Sequence, residues 1–109
     1  MTNYVLIESR DPFESRDVRF VEETATALAA RGHEVTVFLV QNGVLAARAL
    51  ACGSYLARMA EAGVQLLADD FSLRERGIHP AALRPGIRAA NIEALVDTLL
   101  RANTKAIWH

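Results

Sequence analysis

Gly32-His33-Glu34-Val35-Thr36-Val37-Phe38-Leu39-Val40 decides the fold of this 109-residue chain. From residue 35 to residue 40 every position but Thr36 is apolar. Such a run does not alternate between a wet and a dry face. It reads as a strand buried on both sides, the habit of a central strand in a parallel sheet. Upstream, Tyr4-Val5-Leu6-Ile7 is a second unbroken apolar run. Between the two, Val18, Val21, Ala25 and Leu28 fall at helical spacing, with Arg19, Glu22 and Glu23 on the wet side. Ser15 is expected to cap that helix, and Gly32 fits the left-handed stop after it. Two buried strands joined by one helix form a βαβ unit, which crosses over right-handed.

The rest of the chain extends this pattern. Gln41-Asn42-Gly43 reads as a turn, and residues 44–62 read as helical with a break at Cys52-Gly53-Ser54, where Ser54 can cap the second piece. Leu56, Met59 and Ala60 are expected to face the sheet. Residues 64–68 form a third strand, and Asp69-Asp70 cap a short helix ended by Gly77. A short helix is expected over residues 80–83 and a brief strand over 87–89. Asn91 then caps a last helix whose Ile92, Leu95, Val96, Leu99 and Leu100 make an apolar stripe. Ala106-Ile107-Trp108 closes the sheet. The expectation is α/β: one domain over residues 1–109, a mainly parallel sheet of about five strands with helices on both faces.

Composition bounds the function. Half of the chain is apolar (51%) and 23% is charged, so it can bury a core, and its net charge of -1 offers no field for nucleic acid or an anionic membrane. No apolar run approaches the roughly 20 residues that span a bilayer. A single cysteine excludes an intramolecular disulfide and an all-cysteine metal site. A cytoplasmic protein without nucleic-acid or membrane partners is expected. His33, His79 and His109 show no metal-ligand spacing, and neither a metal nor another cofactor is expected.

In open parallel sheets ligands bind beyond the carboxyl ends of the strands. That rule selects three polar loops: Glu8-Ser9-Arg10-Asp11, Gln41-Asn42-Gly43 and Asp69-Asp70-Phe71-Ser72. Candidate ligand-binding residues are therefore Ser9, Arg10, Gln41, Asn42, Asp69, Asp70 and Ser72, with His79 nearby in sequence. Asp69 and Asp70 also suit a helix start, where capping and the dipole favour aspartate. A phospho-acceptor receiver site would need a lysine at the far end of the last strand, whereas Lys105 opens that strand. His33 is expected in solvent. Cys52, with no cation adjacent to lower its pKa, reads as an inert small hydrophobe. Arg74, Arg76, Arg84 and Arg88 form a basic stretch that suits a solvated surface, an anion site or a docking face. No catalytic residue is assigned.

The order of these landmarks resembles the DsrE/DsrF-like family, whose members include sulfur-relay subunits. Its marks are Tyr4-Val5-Leu6-Ile7, Arg31-Gly32-His33-Glu34-Val35 leading into Val37-Phe38-Leu39, and Asn42-Gly43-Val44. They continue with Gly63-Val64-Gln65-Leu66-Leu67, Glu75-Arg76-Gly77-Ile78 and Lys105-Ala106-Ile107-Trp108. The resemblance implies a three-layer α/β/α sandwich that assembles into homo- or hetero-oligomers, often trimers or hexamers. For some members it also implies a cysteine that carries sulfur as a persulfide, placed after the third strand and just before the Arg-Gly motif. Here that stretch is Ala68-Asp69-Asp70-Phe71-Ser72-Leu73, with Asp69 and Ser72 where the cysteine would stand. Neither can hold a persulfide, which needs a thiolate.

Three readings follow: an oligomeric subunit without its own carrier cysteine, a divergent carrier using Cys52, or a small-molecule or metal-binding enzyme built on the Asp69–Ser72 loop. The first is preferred. Leu45, Leu50, Tyr55 and Leu56 offer more apolar surface than one sheet contact requires, so this helix face is expected to serve self-association.

Overall fold

The two apolar runs pair directly. In a computed structural model, which describes residues 2–49 and 55–109, β1 (Asn3–Glu8) lies parallel to β2 (Glu34–Leu39), with Leu6 opposite Val37 and Ile7 opposite Phe38. The remaining strands are β3 (Gln65–Asp69), β4 (Ile87–Ala90) and β5 (Thr104–Trp108), and the sheet order is β4-β3-β2-β1-β5. Every pairing is parallel. Among the described residues the four helices are α1 (Val18–Ala30), α2 (Tyr55–Glu61), α3 (Asp70–Glu75) and α4 (Ile92–Leu99). The expected α/β/α sandwich is the observed architecture.

Handedness distributes the layers. From β1 to β4 the chain steps across the sheet in one direction, and then returns in a single stride to place β5 beyond β1. Right-handed crossovers made in opposite directions put their helices on opposite faces. Val21 of α1, Leu56 and Met59 of α2 and Leu73 of α3 accordingly share one core with Leu6, Val37 and Leu66. Leu95 of α4 joins Val5, Ile7, Phe38 and Leu67 in a second, smaller one.

Several local expectations change. Ser15 does not cap α1: the cap position is Asp17, which makes no side-chain capping bond, and Ser15 Oγ instead accepts from the Asp17 N–H in the preceding turn. Gln41-Asn42-Gly43 is the start of a 3-10 helix, Gln41–Ala47, rather than a simple turn. Arg48 then turns extended and bridges Leu83, with Ala49 N–H donating to Ala82 O and Arg84 N–H to Ala47 O. These tertiary backbone bonds override the helical preference of an alanine-rich run. The break at Cys52-Gly53-Ser54 and the capping role of Ser54 lie outside the described residues.

Gly43 is fixed by a close approach, since a Cβ there would sit 2.3 Å from the Glu8 carbonyl oxygen. His33 is half-buried and sets its ring edge-on to Tyr4 at 5.2 Å, so it is not simply solvated. Ala60 is exposed, whereas Leu56 and Met59 face the sheet as expected.

The predicted self-association face is corrected. Tyr55 and Leu56 are buried core, because α2 packs its apolar side onto α1 and the sheet. Leu45 is packed against the same core and Leu50 lies outside the described residues. The exposed large apolar side chains are elsewhere, among them Ile92 and Val96 of α4 and Leu100 at its C-cap. No helix among the described residues is long and apolar enough to cross a membrane.

Candidate crevice beyond the strand ends

Beyond the carboxyl ends of β2, β3 and β5 lies a crevice of about 840 Å³. Its polar lining is Gln41, Asn42, Asp69, Ser72, Glu75 and Arg76. Its apolar lining is Val40, Phe71, Ile92, Leu95 and Trp108.

Asp69 ends β3 in an extended conformation and begins α3. Its Oδ2 accepts from the Ser72 N–H at 2.9 Å and from the Ser72 hydroxyl at 2.6 Å. Ser72 Oγ in turn accepts from the Gln41 N–H at 2.8 Å, which ties the β3–α3 turn to the segment after β2. Both side chains are buried. The Asp69 carboxylate is therefore engaged in capping, and the Ser72 hydroxyl already has a donor and an acceptor. Together these bonds make a latch between the β3–α3 turn and the segment after β2.

Gln41 takes a positive φ of 51°, a conformation costly for a side-chain-bearing residue. The Ser72 latch holds it there, at the mouth of the crevice. Beside it, Arg76 donates from Nε and Nη2 to Asn42 Oδ1 at 3.2 and 2.9 Å, and from Nη1 to the Ser72 carbonyl at 3.2 Å. The rim thus offers one guanidinium and two amide side chains next to an aromatic wall, a surface suited to a polar group attached to an apolar body.

Helical rotation separates the candidates of the third loop. Asp69, Phe71, Ser72, Glu75 and Arg76 face the crevice, whereas Asp70, Leu73 and Arg74 face a separate depression of about 580 Å³ on the other side of α3. Asp70 pairs with Arg74 at 3.6 Å. His79 lines that second depression, and its Nδ1 accepts from the Ala81 N–H. The two adjacent aspartates do not converge, and neither Asp70 nor His79 belongs to the crevice. Among the described residues no three His, Cys, Asp or Glu side chains gather in a way that could hold a metal ion.

Ser9 and Arg10 line a third, smaller depression of about 360 Å³ with Asp11, and Asn42 borders both it and the main crevice. Arg10 directs its guanidinium to Asp17 at 2.7 Å, and Ser9 Oγ donates to the His109 carbonyl at 3.1 Å. Glu8 is fully buried: its Oε1 accepts from the Arg10 N–H at 2.8 Å, and its Oε2 lies 2.7 Å from His109 Nδ1. Burial raises the Glu8 carboxyl above its ordinary value, against the lowering pull of the Arg10 N–H and of His109.

The basic stretch does not form one patch. Arg74 sits over the Phe71 ring at 6.0 Å and pairs with Asp70, Arg76 faces Asn42, Arg84 donates to the Ala46 carbonyl, and Arg88 is exposed on β4. The sequence reading missed Phe71, Ile92, Leu95, Trp108 and Arg76 as crevice residues. It also missed the pairing of His109 with Glu8, which spans the whole chain. Cys52 lies outside the described residues.

The DsrE/DsrF-like family model matches residues 2–105 of the chain. Among solved structures, the ychN protein from E. coli is similar with a TM-score of 0.86 at 19% identity, covering 100% of both chains. A protein of unknown function from Methanobacterium thermoautotrophicum, MTH1491, is similar with a TM-score of 0.83 at 18% identity, again covering 100% of both. At such identities the likeness establishes a shared fold alone. No curated protein matches the chain.

Proposed function

Because the chain belongs to the DsrE/DsrF-like family, we propose that it is an oligomeric binding and assembly subunit of the sulfur-relay type that carries no sulfur at its own crevice. The observation behind this reading is the end of β3. Where the resemblance places a carrier thiol, the sequence has Asp69 and Ser72, and both side chains take part in the latch that joins α3 to Gln41. A persulfide needs a thiolate there, and neither residue supplies one. The crevice itself remains large and mixed in character, lined by Arg76, Gln41 and Asn42 together with Phe71 and Trp108. It is suited to receive a small ligand or a partner's loop. The setting is cytoplasmic, consistent with a single cysteine.

Intact mass after incubation with a persulfide donor tests this, comparing the wild type with Cys52→Ser. The reading expects an unchanged mass in both, with alkylation reporting whether the Cys52 thiol is reachable. A gain of about 32 Da (one sulfur atom) that reduction reverses and Cys52→Ser abolishes would overturn it and make Cys52 a divergent carrier.

A further inference from the structure

We propose that a second copy of this chain docks on the face formed by α4 and the end of β5, and that the crevice is incomplete until that copy covers its exposed apolar lining. The inference rests on the oligomeric reading above and names the surface that carries it. Its starting point is how little covers this side of the sheet. A helix about 10 Å across spans about two strands at about 4.8 Å spacing, and this face of a five-stranded sheet has α4 alone. Parallel register places Arg88, Leu67, Phe38, Ile7 and Trp108 in one row across it. The middle three are buried, while Arg88 and Trp108, at the two flanks, are exposed.

The apolar surface left open is continuous. Phe71, Ile92 and Trp108, exposed by 59%, 58% and 65%, border the same crevice, and Val96 and Leu100 continue the Ile92 stripe along α4 at four-residue steps. With aromatic side chains worth roughly 150–250 Å² of buried surface each, these five residues present on the order of 600 Å², most of the ~800 Å² per partner in a standard interface. Charges on the same side complement one another: Arg88 stands at the β4 flank, and Glu93 and Asp97 are exposed on α4. A surface with both signs around an apolar strip can pair with itself, which favours a second copy over a partner of one charge. Docking there covers Phe71, Ile92 and Trp108 together and turns an open crevice into a walled one.

Trp108 is the only tryptophan, so its emission reads this face directly. The test combines sedimentation velocity over a dilution series with Trp108 emission on the same samples, for the wild type, Val96→Glu, and Ala27→Glu on the exposed side of α1. The proposal expects association of the wild type and a red shift of Trp108 emission as dilution dissociates it. In Val96→Glu the dissociation midpoint should rise by on the order of 30-fold or more, the size of a lost interface hot spot, with Ala27→Glu unchanged. Far-UV circular dichroism confirms that each variant is folded, and should Val96→Glu fail to fold, the wild-type emission still decides. An oligomer whose Trp108 emission ignores dilution overturns this face while leaving the oligomeric reading intact. A monomer at every concentration overturns both and leaves the face to a different protein.

Discussion

The row Ile87, Leu66, Val37, Leu6 and Ile107 runs across the sheet beneath α1, α2 and α3, and the next row, Arg88, Leu67, Phe38, Ile7 and Trp108, runs beneath α4. One residue separates them along each strand. In the first row the central strands and Ile87 are buried, and Ile107 is partly so and packed against the core. In the second, burial stops at the middle three strands and Trp108 is 65% exposed. The difference comes from topology: three crossovers serve one face and one serves the other. The covered face holds the fold together, and the open face is where function and assembly can be placed at little cost to stability.

That contrast can be broken by substitution. The largest effect belongs to the covered row, where Leu6→Ala should cost about 3 kcal/mol in urea denaturation, the usual toll of a leucine cavity in a packed core. Trp108→Ala, measured at a concentration where the chain is monomeric, should cost under about 1 kcal/mol because the indole is already mostly wet. Equal losses at the two positions would contradict the asymmetry.

Ser72→Ala should come next, at about 1–2 kcal/mol, since it strips an acceptor from the Gln41 N–H and a donor from Asp69. Chemical denaturation measures the loss, and an unaltered midpoint would mean that the latch does not hold the crevice together.

At Glu8 the effect depends on pH. Burial raises its carboxyl above the ordinary 4.5, so the folded chain keeps this proton to higher pH than the unfolded chain does. The group's contribution is full at acid pH below 4.5 and is lost as pH climbs through the folded-state value. Glu8→Gln keeps an acceptor for the Arg10 N–H and removes that falling limb. Denaturation curves at a series of pH values should therefore converge in acid and separate toward neutrality, with the variant the more stable. Parallel curves would mean that the His109 contact compensates the burial in full.

The smallest change is expected at Tyr55→Phe. The Tyr55 hydroxyl is buried without a hydrogen-bond partner among the described residues, and burial, with nearby carboxylates adding to it, holds its pKa well above the ordinary value. Removing the oxygen should leave stability unchanged or raise it by up to about 1 kcal/mol. A clear loss in thermal denaturation would reveal a partner for that oxygen.

How much of this could be read in advance follows from the range of the interactions. Unbroken apolar runs such as residues 35–40 declare buried parallel strands, because strand periodicity is local. The location of the crevice was legible too, since strand ends in a parallel sheet are marked by the first polar residues after each run. Which loop residues converge was not. Asp69 and Asp70 are neighbours in sequence yet face opposite sides of α3, and Arg76 meets Asn42 across 34 positions with no local signal. The apolar stripe of α4 was visible, but only the topology reveals that half of it has nothing to pack on. The same limitation made α2 look over-apolar in isolation, whereas its apolar side packs into the core it shares with α1.

Amide hydrogen exchange at concentrations above and below association bears most directly on the claim that one face is finished and the other is closed by a second copy. The account predicts that concentrating the protein slows exchange along α4 (Ile92–Leu99) and β5 (Thr104–Trp108), while α1 (Val18–Ala30) exchanges at the same rate throughout. Protection appearing on α1 with α4 unchanged would contradict it.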